Sequence, residues 1–125
     1  MHVPDLSPYP YGKQPSKLSV GWLDDAHEYI HGEVPDGFVE RLLAFCRRPV
    51  LHTMGEHECE LCHNRTGSGE IWVFGSGESI YVAPDLIYHY VVDHHYQPPM
   101  EFINAVLGCS LPDSPEYQGR VNQVR

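Results

Sequence analysis

Two cysteines and a scatter of histidines carry the chemistry in this chain: His57-Glu-Cys59-Glu-Leu-Cys62-His63, then His89, then the pair His94-His95. A Cys-x2-Cys turn presents two sulfurs from one tight loop. A helix end can add two imidazoles when three to five residues separate the histidines. Together these are the donors of a tetrahedral zinc ion, Zn2+. The spacing selects Cys59, Cys62, His89 and His94 as metal ligands. Five positions along an ideal helix amount to about 140° of rotation, so the last turn must tighten or unwind before both rings converge. His95 competes with His94 at the long limit of the range. His57 is an alternate ligand, because a His-x-Cys turn can bring its ring beside the first sulfur. Four protein ligands close the coordination sphere, which implies a structural site with no catalytic residues.

The same letters admit other chemistries. Cys59-x-x-Cys62-His63 matches the attachment pattern of a c-type haem. That reaction is completed outside the cytoplasm and needs a second axial ligand and an apolar crevice, which a loop entering a hairpin does not supply. His31-Gly-Glu33 lies upstream of the cysteines as in zinc deaminases, but Glu58 stands where that signature has proline. Asp93-His94-His95 with Asn104 echoes an HNH nuclease, yet no histidine follows His95 and no second Cys-x-x-Cys occurs. A small zinc-dependent hydrolytic enzyme with an open metal position would use His57, Cys59 and Cys62 as ligands and Glu56 or Glu58 as base. Gly67-Ser-Gly69 and Gly75-Ser-Gly77 are turn glycines rather than phosphate cradles.

The elements that must position these residues follow from periodicity. Residues 1–16 hold four prolines and little apolar pattern, so they should run extended over the surface. Leu18, Val20 and Trp22 alternate as in a strand over 17–23. Pro35 opens a helix carrying Phe38, Val39, Leu42, Leu43 and Cys46 at helical spacing, and Pro49 stops it. Residues 55–69 read as a loop rich in Gly, His and Cys. Glu70–Phe74 and Ser79–Ala83 are β-branched or aromatic around a glycine-rich linker, which predicts a hairpin. Pro84-Asp85 opens a second helix ending near His94-His95, and Met100–Leu107 forms a third before Gly108. The expected fold is α+β: a small antiparallel β-sheet or hairpin with about three helices, zinc-stapled and zinc-finger-like. The domain should cover 17–110, and 111–125 should form a flexible tail, so that removing residues 112–125 barely alters melting.

Composition narrows the role. At 125 residues and 42% hydrophobic, the chain is one globular domain small enough to profit from a metal staple. Formal net charge is -9, from 17 acids against 8 bases, which argues against nucleic acid as a partner. No stretch is apolar enough for a signal sequence or a membrane span, so the expected compartment is the reducing cytoplasm. There, four cysteines imply metal or free thiols rather than disulfides. The expected role is a non-enzymatic zinc-binding domain whose partner is another protein. Its acidity suits an inhibitor or immunity-type partner of a basic toxin or nuclease. Tyr81, Tyr88 and Tyr96 are candidates for an exposed contact surface, with ordinary half-buried packing as the equal alternative.

Several segments together resemble an uncharacterised bacterial family of small proteins. They are Val3-Pro-Asp-Leu-Ser-Pro-Tyr9, Val20-Gly-Trp-Leu23, Val34-Pro-x-x-Phe38-Val-Glu-x-Leu-Leu43 and His57-x-Cys59-x-x-Cys62. Gly69-Glu-Ile71, Tyr81-x-Ala-Pro84-x-Leu-Ile-x-His89-Tyr-Val91 and His94-x-Tyr96-x-Pro-Pro99-x-Glu-Phe-Ile103 belong with them. The likeness spans residue 3 to about 107. It implies that His57, Cys59, Cys62, His89 and His94 belong to the family pattern, while positions 63 and 95 usually hold other residues. The resemblance thus favours zinc over haem and His94 over His95, and it implies no reaction.

Overall fold

The β-branched and aromatic residues of 70–74 and 80–84 are buried on both strand faces, and these segments form the centre of the sheet. The computed structural model describes residues 2–10 and 16–124, with only the backbone described at 53 and 54. The elements run β1 (Lys17–Ser19), α1 (Phe38–Cys46), β2 (Leu51–Glu58), β3 (Thr66–Phe74), β4 (Ile80–Pro84), α2 (Ile87–His94), α3 (Met100–Gly108) and α4 (Pro115–Val124). Strand order is β1-β4-β3-β2. β2, β3 and β4 form an antiparallel meander, and β1 adds to β4 in parallel. The expected α+β class is what the chain adopts. The sheet is mixed, because the link from β1 to the meander is long enough to cross over, and a fourth helix joins the three expected.

Alternation along β3 and β4 divides the core into two faces. Tyr81 meets Phe102 of α3 edge-on at 6.0 Å, and Phe102 in turn meets Phe38 of α1 at 6.3 Å. Leu42 and Phe45 complete the buried stripe of α1. Arg41 fastens α1 to the end of α3. Its Nε donates to the Val106 carbonyl at 2.7 Å and its Nη2 to that of Cys109. On the opposite face, Glu70, Trp72 and Phe74 are covered by Tyr9, by Lys17 over the Trp72 ring, and by Arg120 over the Phe74 ring.

Three features of the periphery bear on the core. At the C-terminal end, within the described residues, α4 packs through Tyr117 and Val121, a pair four positions apart. The Tyr117 ring, 2% exposed, lies 5.7 Å from Phe45 and 5.5 Å from Phe74. Its hydroxyl donates to the Trp72 carbonyl at 2.7 Å. Ser114 receives the Tyr117 amide and Pro115 occupies the first turn, the residue types a helix start favours. The N-terminal segment is likewise not confined to the surface. Val3 and Tyr9 are buried, and the backbone bridges to Trp22 and Leu18; residues 11–15 lie outside the described residues. Finally, the region 55–69 is mostly sheet. β2 runs to Glu58 and β3 starts at Thr66, which leaves a tip of only a few residues.

Candidate metal centre

The tip of the β2–β3 hairpin is folded by its own backbone. The Cys59 amide donates to the Arg65 carbonyl and the His63 amide to the Cys59 carbonyl, both at 2.8 Å. The Asn64 amide points at Cys62 Sγ at 3.4 Å. His63 closes the turn with φ 61, a left-handed conformation ordinarily left to glycine.

The imidazoles come from α2, whose last turn resolves the problem of the five-residue spacing. The His95 and Tyr96 amides both return to the Tyr90 carbonyl, five and six residues back. A turn closed over five residues is wider than an α-turn and brings positions 89 and 94 toward one side. His95 then leaves the helix at φ 56. The segment 29–32 straps this end in place. The Tyr29 hydroxyl donates to the His94 carbonyl at 3.0 Å and the Gly32 amide to the His95 carbonyl at 3.0 Å.

The result is a convergence of four donor atoms, all within 4.8 Å of one another, from Cys59, Cys62, His89 and His94. Cys59 Sγ lies 3.6 Å from His94 Nε2, and Cys62 Sγ lies 3.3 Å from His89 Nε2. The two Nε2 atoms are 3.2 Å apart. Bonds of about 2.3 Å to sulfur and about 2.0–2.1 Å to nitrogen at tetrahedral angles put donors roughly 3.3–3.8 Å apart. The Cys59–His94, Cys62–His89 and His89–His94 edges lie close to those values, so the four residues are placed to hold a metal ion. The site is half-enclosed: Cys59 is wholly buried and His89 is 9% exposed, while Cys62 and His94 are half-buried.

The surroundings suit a cation. His89 Nδ1 meets Asp93 Oδ2 at 2.9 Å, which fixes the proton on Nδ1 and aims the Nε2 lone pair at the centre. Burial, helped by the neighbouring His89, holds His94 below the ordinary imidazole value, which keeps it in the neutral form a metal takes. Burial also pushes the Cys59 thiol up, and a bound cation would reverse this by stabilising the thiolate.

The other candidates fall elsewhere. His57 sits on β2 opposite Gly67, exposed and outside the four-donor cluster, and His95 is exposed beyond the helix end. His63 pairs with Glu58 at 2.9 Å on the surface, and that hydrogen bond raises its pKa. His31 bridges to Tyr96 and stacks on Tyr29 at 4.2 Å. Cys46 is remote from the centre, and burial pushes its thiol up to about 12. Of the tyrosines weighed as a contact surface, Tyr81 and Tyr96 are core residues, and the Tyr96 hydroxyl donates to Asp5 at 2.7 Å. Period-two alternation put Tyr81 on the inner face, and the return of the chain after α2 covers Tyr96.

Sequence reasoning missed Asp93 as the partner of His89, although an acid four positions beyond a ligating histidine is a readable helix signal. It also missed the buried Glu70 carboxylate, which accepts from the Tyr9 hydroxyl and from Trp72 Nε1 at 2.9 Å. A second trio, His2, Asp24 and His27, also gathers ligand atoms within 4.8 Å. There the two imidazoles stack 4.0 Å apart with planes within 8°, so their in-plane lone pairs run side by side rather than converging.

A family model described as Domain of unknown function (DUF7919) matches residues 1–107, and the chain belongs to that family. The matched span contains all four donors and nearly all of α3, while α4 lies beyond it. No curated protein and no solved structure matches the chain.

Proposed function

We propose that this member of the DUF7919 family is a non-catalytic domain, stapled by zinc, that acts by binding another protein of basic surface. The observation that carries the proposal is the closed set of two sulfurs and two imidazole nitrogens with tetrahedral edges. Soft thiolates with imidazoles favour zinc among the divalent ions, and four protein ligands leave no position for a water nucleophile. The alternative hydrolytic site needs His57 as a ligand, and His57 lies outside the cluster. Two thiolates and Zn2+ cancel, so the formal charge of -9 persists in the loaded protein and would speed encounter with a basic partner.

Elemental analysis of protein purified without chelator should give one zinc per chain, and X-ray absorption should resolve two sulfur and two nitrogen neighbours. A ligand shell containing oxygen in place of one imidazole would instead support the hydrolytic reading. For the partner, capture from the native host on the zinc-loaded protein should enrich a basic protein whose association slows steeply with salt. Capture of acidic or neutral proteins alone, with no salt dependence, would overturn that half of the proposal.

A further inference from the structure

A cavity of about 650 Å³ opens beside the metal centre, between the β2–β3 ribbon and the start of α2. Its volume lies in the range of small-molecule sites. The aromatic part of the wall is Tyr9, Trp22 and Tyr90, joined by the apolar side chains of Leu23 and Leu86. Tyr9 and Trp22 lie 5.8 Å apart with tilted planes, so they form adjoining panels. The polar part of the wall is dominated by acids: Glu56, Glu58, Glu60 and Asp85, with His57 between the first two. Among the described residues, no lysine or arginine lines the cavity.

Asp85 is built into the wall. Its Oδ2 accepts the Gly69 amide at 3.0 Å, and burial raises its pKa. A Cβ at position 67 would lie 2.2 Å from Asp85 Oδ1, and one at 69 would lie 2.8 Å from Oδ2. Glycine at both positions therefore makes room for this carboxylate.

We propose that the cavity binds a small free organic cation, an ammonium or guanidinium group carried on an apolar body. Aromatic panels attract a cation through their ring quadrupoles, carboxylates at the rim add charge, and the leucines accept the body. An anion would be repelled by the carboxylates of the wall, and a neutral apolar molecule would gain nothing from their charge. The site needs no protein partner, so its test is independent of the partner proposed above, and metal content measured on the same sample separates it from the zinc reading.

The test uses zinc-loaded protein titrated with benzyltrimethylammonium, benzyl alcohol and benzoate, followed by calorimetry and by the NMR signal of the Trp22 indole. The expected result is saturable binding of the cation at least tenfold tighter than of the alcohol, weakening as salt rises, with no binding of benzoate. The exposed-site double variant Glu56→Gln/Glu58→Gln should weaken the cation at least fivefold while melting stays unchanged. Trp22→Leu should do the same, with a thermal melt to confirm folding. Equal affinity for cation and alcohol would overturn the proposal, as would unchanged affinity in the folded glutamine variant. Binding of an arginine-bearing peptide without any binding of the free cation would overturn it in favour of a protein side chain.

Discussion

Asp93 and His63 show how much a single side chain can do around a centre it does not ligate. Asp93 holds His89 through Nδ1 at 2.9 Å, so Asp93→Ala should weaken zinc affinity by about 10- to 100-fold while leaving the fold intact at saturating metal. Competition with a chromogenic chelator measures this, and an unchanged affinity would make the contact a surface pairing only. His63 contributes its backbone rather than its ring. At φ 61 it carries left-handed strain that glycine would relieve, so His63→Gly should keep one zinc per chain and raise stability by up to about 1 kcal/mol. Loss of metal in that variant would mean the ring matters. Glu70 is a different case, a carboxylate 5% exposed that accepts from Tyr9 and Trp72. Glu70→Ala would strand two donors in the core and should cost about 2–4 kcal/mol in denaturant unfolding.

Elements position these residues through their ends more than through their middles. The hairpin predicted from alternation at 70–83 is the central β3–β4 pair, and the helices expected after Pro35, Pro84 and Pro99 are α1, α2 and α3. Strong periodicity made them legible. β2 was not legible, because its sequence lacks an apolar pattern, its described side chains are exposed, and pairing with β3 holds it in place. α4 was hidden for a similar reason: two apolar residues in a polar stretch look like a tail until a pocket between Phe45 and Phe74 receives one of them. Truncation after residue 111 should therefore lower Tm by on the order of 10 °C or more, since loss of a buried aromatic costs about 3–5 kcal/mol. A change of only a degree or two would show that α4 adds little.

Across the whole molecule, a metal ion held by the four donors would tie the hairpin tip at 59–62 to the far end of α2 at 94. A cross-link of that kind contributes folding free energy directly, because the assembled donors do not exist in the unfolded chain. Excess chelator should produce a large, metal-reversible fall in Tm, and Cys59→Ser should lose zinc and unfold or aggregate. Retention of one equivalent of zinc by Cys59→Ser would remove Cys59 from the donor set. Among the described residues, no helix is long and apolar enough to cross a membrane. The acids at the hairpin tip, Glu56, Glu58 and Glu60, concentrate negative charge beside the cavity, where a cation would be drawn in.

The chain's letters alone determined the donor types, the Cys-x2-Cys turn and the identity of the central elements, because metal chemistry and hydrophobic periodicity are local properties of spacing. They left His57, His94 and His95 in competition, because an ideal helix puts none of the histidine pairs fully in register. Tertiary structure brought His94, and neither of the other two, into the four-donor cluster. The widened turn closing on Tyr90, strapped by Tyr29 and Gly32, swings His94 toward His89, while β-pairing with Gly67 carries His57 away. Which tyrosines are buried, whether the last helix packs, and that a cavity forms next to the centre were likewise settled only when distant segments met. Burial and convergence are properties of neighbours, and neighbours in this fold are mostly far apart in the chain.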